Sequence, residues 1–121
     1  MVKKIMAESL IDILIEEAQE KEKYFKNYLF YAKEIKKVAE KLLGKVRVFV
    51  FGSILRKKEV ARDIDILIIS PKLKTTTQKS KILAKLWKKF GFNNPFEFHL
   101  INPDEYKNWY RYFIKKKIEI K

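Results

Sequence analysis

The sequence predicts an α/β (α+β) protein, a small mixed sheet of at least three strands flanked by helices. Three observations predict it. Residues 5–43 contain neither Gly nor Pro and carry apolar residues at helical spacing. Short β-branched and aromatic runs follow at 46–51, 63–70 and 95–101. Between and after these runs lie two further helical patterns, one over 75–90 and one opening at Asn102.

Each element has its own local reason. Tyr28, Ala32, Ile35, Ala39 and Leu42 recur at steps of three and four, which is one helical face. Ile11, Leu14 and Ala18 form an earlier stripe, and Lys21, Glu22 and Lys23 separate the two. The segment is therefore two helices or one long helix with an exposed waist, and Gly44 suits its C-terminal cap. Val46–Phe51 is a strand. Residues 52–62 read as a turn with room for one helical turn. Asp63–Ser70 is a second strand with Ile64, Ile66 and Ile68 on one face, ended by Pro71. Thr75–Phe90 is a helix with Ile82, Leu83, Leu86 and Phe90 inward and Lys81, Lys85, Lys88 and Lys89 on its wetter side. Pro95–Ile101 is a third strand. Asn102-Pro103-Asp104-Glu105 is a helix start, with Asn as cap, Pro first and Glu three after the cap. The helix it opens presents Tyr106, Trp109, Tyr110 and Phe113 on one side, and Ile118 and Ile120 suit a short edge strand.

At 121 residues the chain reads as one domain with a single core. A core this small leaves no separate substrate domain, so an acceptor or part of a site is expected from another chain. Cysteine is absent, which excludes disulfides, thiolate metal sites and a cysteine nucleophile. A single histidine, His99, builds no zinc site alone. The apolar N-terminal stretch carries Glu8, Asp12, Glu16 and Glu17, unlike a signal peptide, and no run approaches a membrane span. A cytoplasmic protein without a membrane partner is the expectation.

The net charge of +13 is placed unevenly. Residues 1–45 hold 10 Lys/Arg against 8 Asp/Glu, and residues 46–121 hold 18 against 7. A basic surface around a carboxylate cluster attracts triphosphate or nucleic acid. A Lys-rich surface of the thermophile kind gives the same balance without a ligand.

The chemistry concentrates in three places. Gly52-Ser53 follows the first strand directly, where glycine lets backbone N–H groups approach phosphate oxygens and serine adds a hydroxyl. A plain strand-to-helix turn has the same residues. Asp63 and Asp65 are two apart, so both carboxylates leave one face of a strand, and a pair of Mg²⁺ ions would neutralise them. Their structural alternative is a solvated strand end partnered by Arg62. Glu97 alternates with Phe96 and Phe98 and reaches the same site if the third strand neighbours the second. His99 points the same way as Glu97 and reads as a surface or half-buried imidazole.

Val48-Phe49-Val50-Phe51-Gly52-Ser53, nine residues, then Asp63-Ile64-Asp65-Ile66-Leu67-Ile68-Ile69-Ser70 resembles the minimal nucleotidyltransferases of archaea and bacteria, in the DNA polymerase beta-like superfamily. The resemblance covers a core of 28–113, with 1–27 as a helical extension. It implies that Gly52, Ser53 and a basic Arg56 hold the triphosphate of an NTP. It further implies that Asp63, Asp65 and Glu97 bind two Mg²⁺ ions (Mn²⁺ as the substitute) and carry catalysis. The reaction it implies is transfer of an NMP, AMP foremost, to a hydroxyl acceptor. Relatives of this size pair with a helical HEPN-type protein and modify it as antitoxins, and tRNA-modifying relatives act on an RNA end. The N-terminal stretch suits a partner or a homodimer surface. The chain departs from the family at Lys57-Lys58-Glu59, where a glycine is usual, and at Arg62, where a serine is usual. Those departures motivate a rival reading, a catalytically weak or inactive nucleotide-binding protein of the same fold. A purely basic nucleic-acid binder is the third.

Overall fold

The computed structural model describes residues 2–58 and 60–121, with side chains from residue 9 onward. Two helices open it, α1 (Val2–Lys26) and α2 (Tyr28–Leu43). The break falls at Asn27, whose side-chain amide donates to the Lys23 carbonyl at 3.0 Å, and not at the charged run 21–23. Four strands and a third helix follow: β1 (Arg47–Phe51), β2 (Ile64–Ile69), α3 (Thr76–Phe90), β3 (Phe96–Ile101) and β4 (Lys117–Glu119).

The sheet order is β3-β2-β1-β4. β1 runs antiparallel to both β2 and β4, while β2 and β3 are parallel, joined through α3. The sheet is thus mixed and four-stranded, and the short tail strand lies at its edge. The parallel pair β2–β3 sets Asp65 beside Glu97 and Leu67 beside His99.

Strand alternation sorts the side chains onto two faces. Val48, Val50, Ile64, Ile66, Ile68, Phe96 and Leu100 enter the larger core, together with Ala32, Ile35, Ala39 and Leu43 of α2 and Ile82 and Leu86 of α3. These are the stripes that the helical spacing marks. α3 is fixed at its start by a capping box between Thr75 and Gln78. On the other face Phe49, Leu67, Ile69 and Ile101 meet Ile114 in a smaller core, flanked by Phe51, Tyr106 and Tyr110.

That smaller face is covered by the helical segment 103–113. Its start has the expected Asn102 cap, with Glu105 N–H donating to Asn102 Oδ1 at 2.9 Å. It then widens into a π-helical turn over Tyr106–Tyr110 before closing at Phe113. The widened turn breaks the expected single aromatic face. Tyr106 and Tyr110 turn to the sheet, whereas Trp109 and Phe113 remain 64% and 72% exposed, stacked on each other. The stripe on α1 is uncovered as well: Ile11 and Leu14 are more than half exposed. Among the described residues, no helix is long and apolar enough to cross a membrane.

Candidate functional site

The site lies where β1 ends and β2 and β3 begin, on the face with the smaller core. Phe51, Asp65 and Glu97 stand at one level across three adjacent strands. β1 then leaves the sheet at Gly52, which adopts φ +85°, and enters a 3-10 turn over Ser53–Leu55. Leu55 N–H donates to the Gly52 carbonyl at 3.1 Å and Arg56 N–H to the Ser53 carbonyl at 3.0 Å.

Gly52 is required twice over. Its positive φ strains any L side chain, and a Cβ built on it would overlap the carboxylate of Asp65, reaching 3.0 Å from Cγ and closer still to Oδ2. The turn after β1 therefore passes directly against the Asp65 carboxylate. This close approach brings Gly52 and Asp65, 13 positions apart in the two halves of the sequence motif, into contact.

Asp65, Glu97 and His99 offer ligand atoms that all lie within 4.8 Å of one another. His99 Nε2 is 3.1 Å from Asp65 Oδ1 and 3.9 Å from Glu97 Oε1. The imidazole is held between two rings, tilted against Phe51 at 5.0 Å and edge-on to Tyr110 at 6.0 Å. Partial desolvation and the like charge of Asp65 push the Glu97 carboxyl above its ordinary range, with Asp63 adding in the same direction and His99 opposing. Because the Glu97 side chain is still 57% exposed, the neighbouring negative charge is the cause specific to this site. A cation among these groups would relieve that repulsion. The donor set of two carboxylates and one imidazole therefore fits a divalent ion of the kind the family usually uses.

Asp63 occupies the position just before β2, exposed, outside this three-residue cluster. Its carboxylate is near enough to raise Glu97. Gly52, Ser53, Arg56 and Asp65 all line a cavity of about 950 Å³. Its far wall comes from the C-terminal segment, with Trp109, Tyr110 and Phe113 and then Lys115 and Lys116. Residues 57, 58 and 62 are exposed, and Glu59 lies outside the described residues.

His99 and the aromatic–basic far wall are what sequence reading missed. The signal for His99 was its alternation with Glu97 on one strand face. For the wall there was only an aromatic side on the last helix, which reads equally well as core.

A mixed sheet with a glycine turn pressed against a strand carboxylate, and a second acid on the parallel neighbour, defines a nucleotidyltransferase-type palm. The family model of the DNA polymerase beta palm matches residues 26–112. A crystal structure of a candidate nucleotidyltransferase is 30% identical, with a TM-score of 0.65, covering 75% of this chain and 98% of that one. A candidate nucleotidyltransferase from Sulfolobus solfataricus, 20% identical, shares the fold with a TM-score of 0.55 over 87% of this chain and 83% of that one. No curated protein matches the chain. The chain belongs to the DNA polymerase beta palm family, as a minimal nucleotidyltransferase.

Proposed function

We propose that the protein transfers an NMP, AMP in the first instance, from an NTP to a hydroxyl acceptor, with Mg²⁺ or Mn²⁺ as cofactor. The observation that carries this reading is the contact between the Gly52 turn and Asp65 at the mouth of the cavity. It supports a reading in which the turn's backbone and the Asp65 carboxylate serve one ligand.

In this reading Gly52 and Ser53 receive the triphosphate through the backbone N–H groups of the turn and the serine hydroxyl. Arg56, lining the same cavity, adds positive charge beside the phosphates. Asp63, Asp65 and Glu97 hold the divalent ions, which when bound neutralise the phosphates and polarise the phosphorus under attack. Glu97 assists removal of the acceptor's hydroxyl proton as the bond to the α-phosphate forms and pyrophosphate leaves. The basic far wall, with Lys115 and Lys116, suits the leaving pyrophosphate or the acceptor. A cavity lined by exposed residues such as Trp109 and Phe113 suits an acceptor on another macromolecule. A HEPN-type helical protein is the partner that the sequence resemblance names, and an RNA end is the other acceptor it names.

The test is incubation with α-labelled ATP, Mg²⁺ and two acceptors, a co-expressed helical partner and total tRNA. Label is expected on one of them with the native chain and on neither with Asp63→Asn. Transfer retained by Asp63→Asn would remove that residue from the site.

The exposed position of Asp63, outside the cluster, favours a second reading: a nucleotide-binding protein of the same fold with little or no turnover. Calorimetry showing Mg²⁺-dependent NTP binding, with no label transferred to any acceptor, would select it.

A further inference from the structure

The motif that the family shares supplies only oxygen donors, yet the group that converges in this fold contains a nitrogen. His99 Nε2 lies 3.1 Å from Asp65 Oδ1. Two ligands bound side by side on an octahedral ion, with bonds of about 2.1–2.2 Å, lie about 3 Å apart. The separation is thus that of neighbouring ligands on one ion, as well as that of a hydrogen bond. Glu97 Oε1, 3.9 Å from the same nitrogen, completes a group small enough to close on a single cation.

The ring is also set in place before any ion arrives. β3 delivers His99 from the same strand face as Glu97, two residues on, and the parallel register puts it beside Leu67, one pleat along from Asp65. Phe51 and Tyr110 contact the imidazole from two directions and restrict its rotation. His99 is only about one-quarter exposed, so little rotamer freedom is left to lose on binding. Nε2 is the ring nitrogen turned toward Asp65, so it is the atom that would meet an ion held there.

We propose that His99 is a direct metal ligand, so that one ion of the centre is held by Asp65, Glu97 and His99 and a first-row transition ion such as Mn²⁺ is taken in preference to Mg²⁺. The inference deepens the nucleotidyltransferase reading and rests on it for the presence of a divalent ion. Its physical basis is ligand type. Mg²⁺ favours hard oxygen donors and gives up water reluctantly, whereas an imidazole nitrogen strengthens binding of first-row transition ions. The rival role for His99 is that of a hydrogen-bond donor that only orients Asp65.

The experiment loads the purified full-length chain with Mn²⁺ alone and records pulsed EPR. Directly coordinated imidazole gives a ¹⁴N modulation, which an outer hydrogen-bonded ring does not. The native protein is expected to show it. His99→Gln is expected to lose it and to bind Mn²⁺ roughly ten- to hundredfold more weakly, while Mg²⁺ affinity by calorimetry changes by less than about threefold. Bound Mn²⁺ without nitrogen modulation in the native protein overturns the proposal, as does failure to bind Mn²⁺ at all. The native spectrum decides even if His99→Gln folds poorly. Nitrogen modulation in a chain that transfers no nucleotide would uphold the ligand assignment and sink the reaction, so the two failures are distinguishable.

Discussion

The two faces of the one sheet are built from the same three strands and do opposite work. On the face toward α2 and α3, Val48, Val50, Ile64, Ile66 and Ile68 are fully buried among aliphatic neighbours. On the other face the apolar positions Phe49, Leu67 and Ile69 occupy only the middle of the strands, and the series passes into Phe51, Asp65, Glu97 and His99 at one end. Neighbouring residues of a single strand, Asp65 and Ile66, therefore belong to different problems. Ile66 is part of the burial that holds the fold. Asp65 is held half-buried beside another carboxylate, an arrangement that costs stability without a cation and is useful only with one. The lesson is that a palm this small keeps its stability on one face so that the other can carry crowded charge.

Substitutions across that boundary test the division. Asp65→Asn should lower NMP transfer by at least about a thousandfold, because it removes charge at the centre of the site. Its urea midpoint should match or exceed the native one, since repulsion with Glu97 is relieved. A large loss of stability in Asp65→Asn would break the comparison. Ile66→Ala, one residue along, should do the reverse. It is expected to cost about 2–5 kcal/mol by chemical denaturation, with transfer by the remaining folded fraction close to native.

Gly52→Ala probes the boundary itself. The added methyl meets the Asp65 carboxylate, and the backbone is at φ +85°. Transfer should fall about a hundredfold through displacement of Asp65, with about 1–2 kcal/mol of strain in the denaturation curve. An unaltered rate would mean that the turn and the carboxylate need not touch during the reaction.

The smallest effect belongs to the sheet edge. Arg47 grips Glu119 through two hydrogen bonds, at 2.9 and 3.0 Å. This guanidinium holds the Glu119 carboxyl below its ordinary value of 4.5. A depressed folded pKa contributes stability above the unfolded value, lost as pH falls from there through the folded value. Both side chains are more than one-third exposed, so salt screens the pair. Glu119→Gln should change stability by no more than about 0.5 kcal/mol and should flatten the pH dependence as pH falls below 4.5.

Much of the fold was legible because local rules act on contiguous residues. The stripe at Ala32, Ile35 and Ala39, the helix ending at Phe90 and the Asn102-Pro103 start each need only a few neighbours to be read, and each lies where the spacing puts it. Tertiary context overrode those rules in two places. The aromatic side of the last helix divides at a π-helical turn, which periodicity at 3.6 residues cannot show. Asp63 and Asp65 alternate as strand residues do, yet β2 starts only at Ile64, so Asp63 is left exposed just before the strand.

What the sequence determined by itself is the motif and its chemistry: a glycine after a strand, carboxylates on one strand face, and a later acid in another strand. Residue type and period are local properties, and they suffice to raise the expectation of a phosphate-and-metal kind of site. Only the tertiary structure decided which groups meet. The parallel register of β2 and β3 put Glu97 and His99 beside Asp65, and the Gly52 turn folded back onto the same carboxylate. Strand order and register depend on how distant segments share one core, and no spacing along the chain encodes the 3.1 Å between Asp65 and His99.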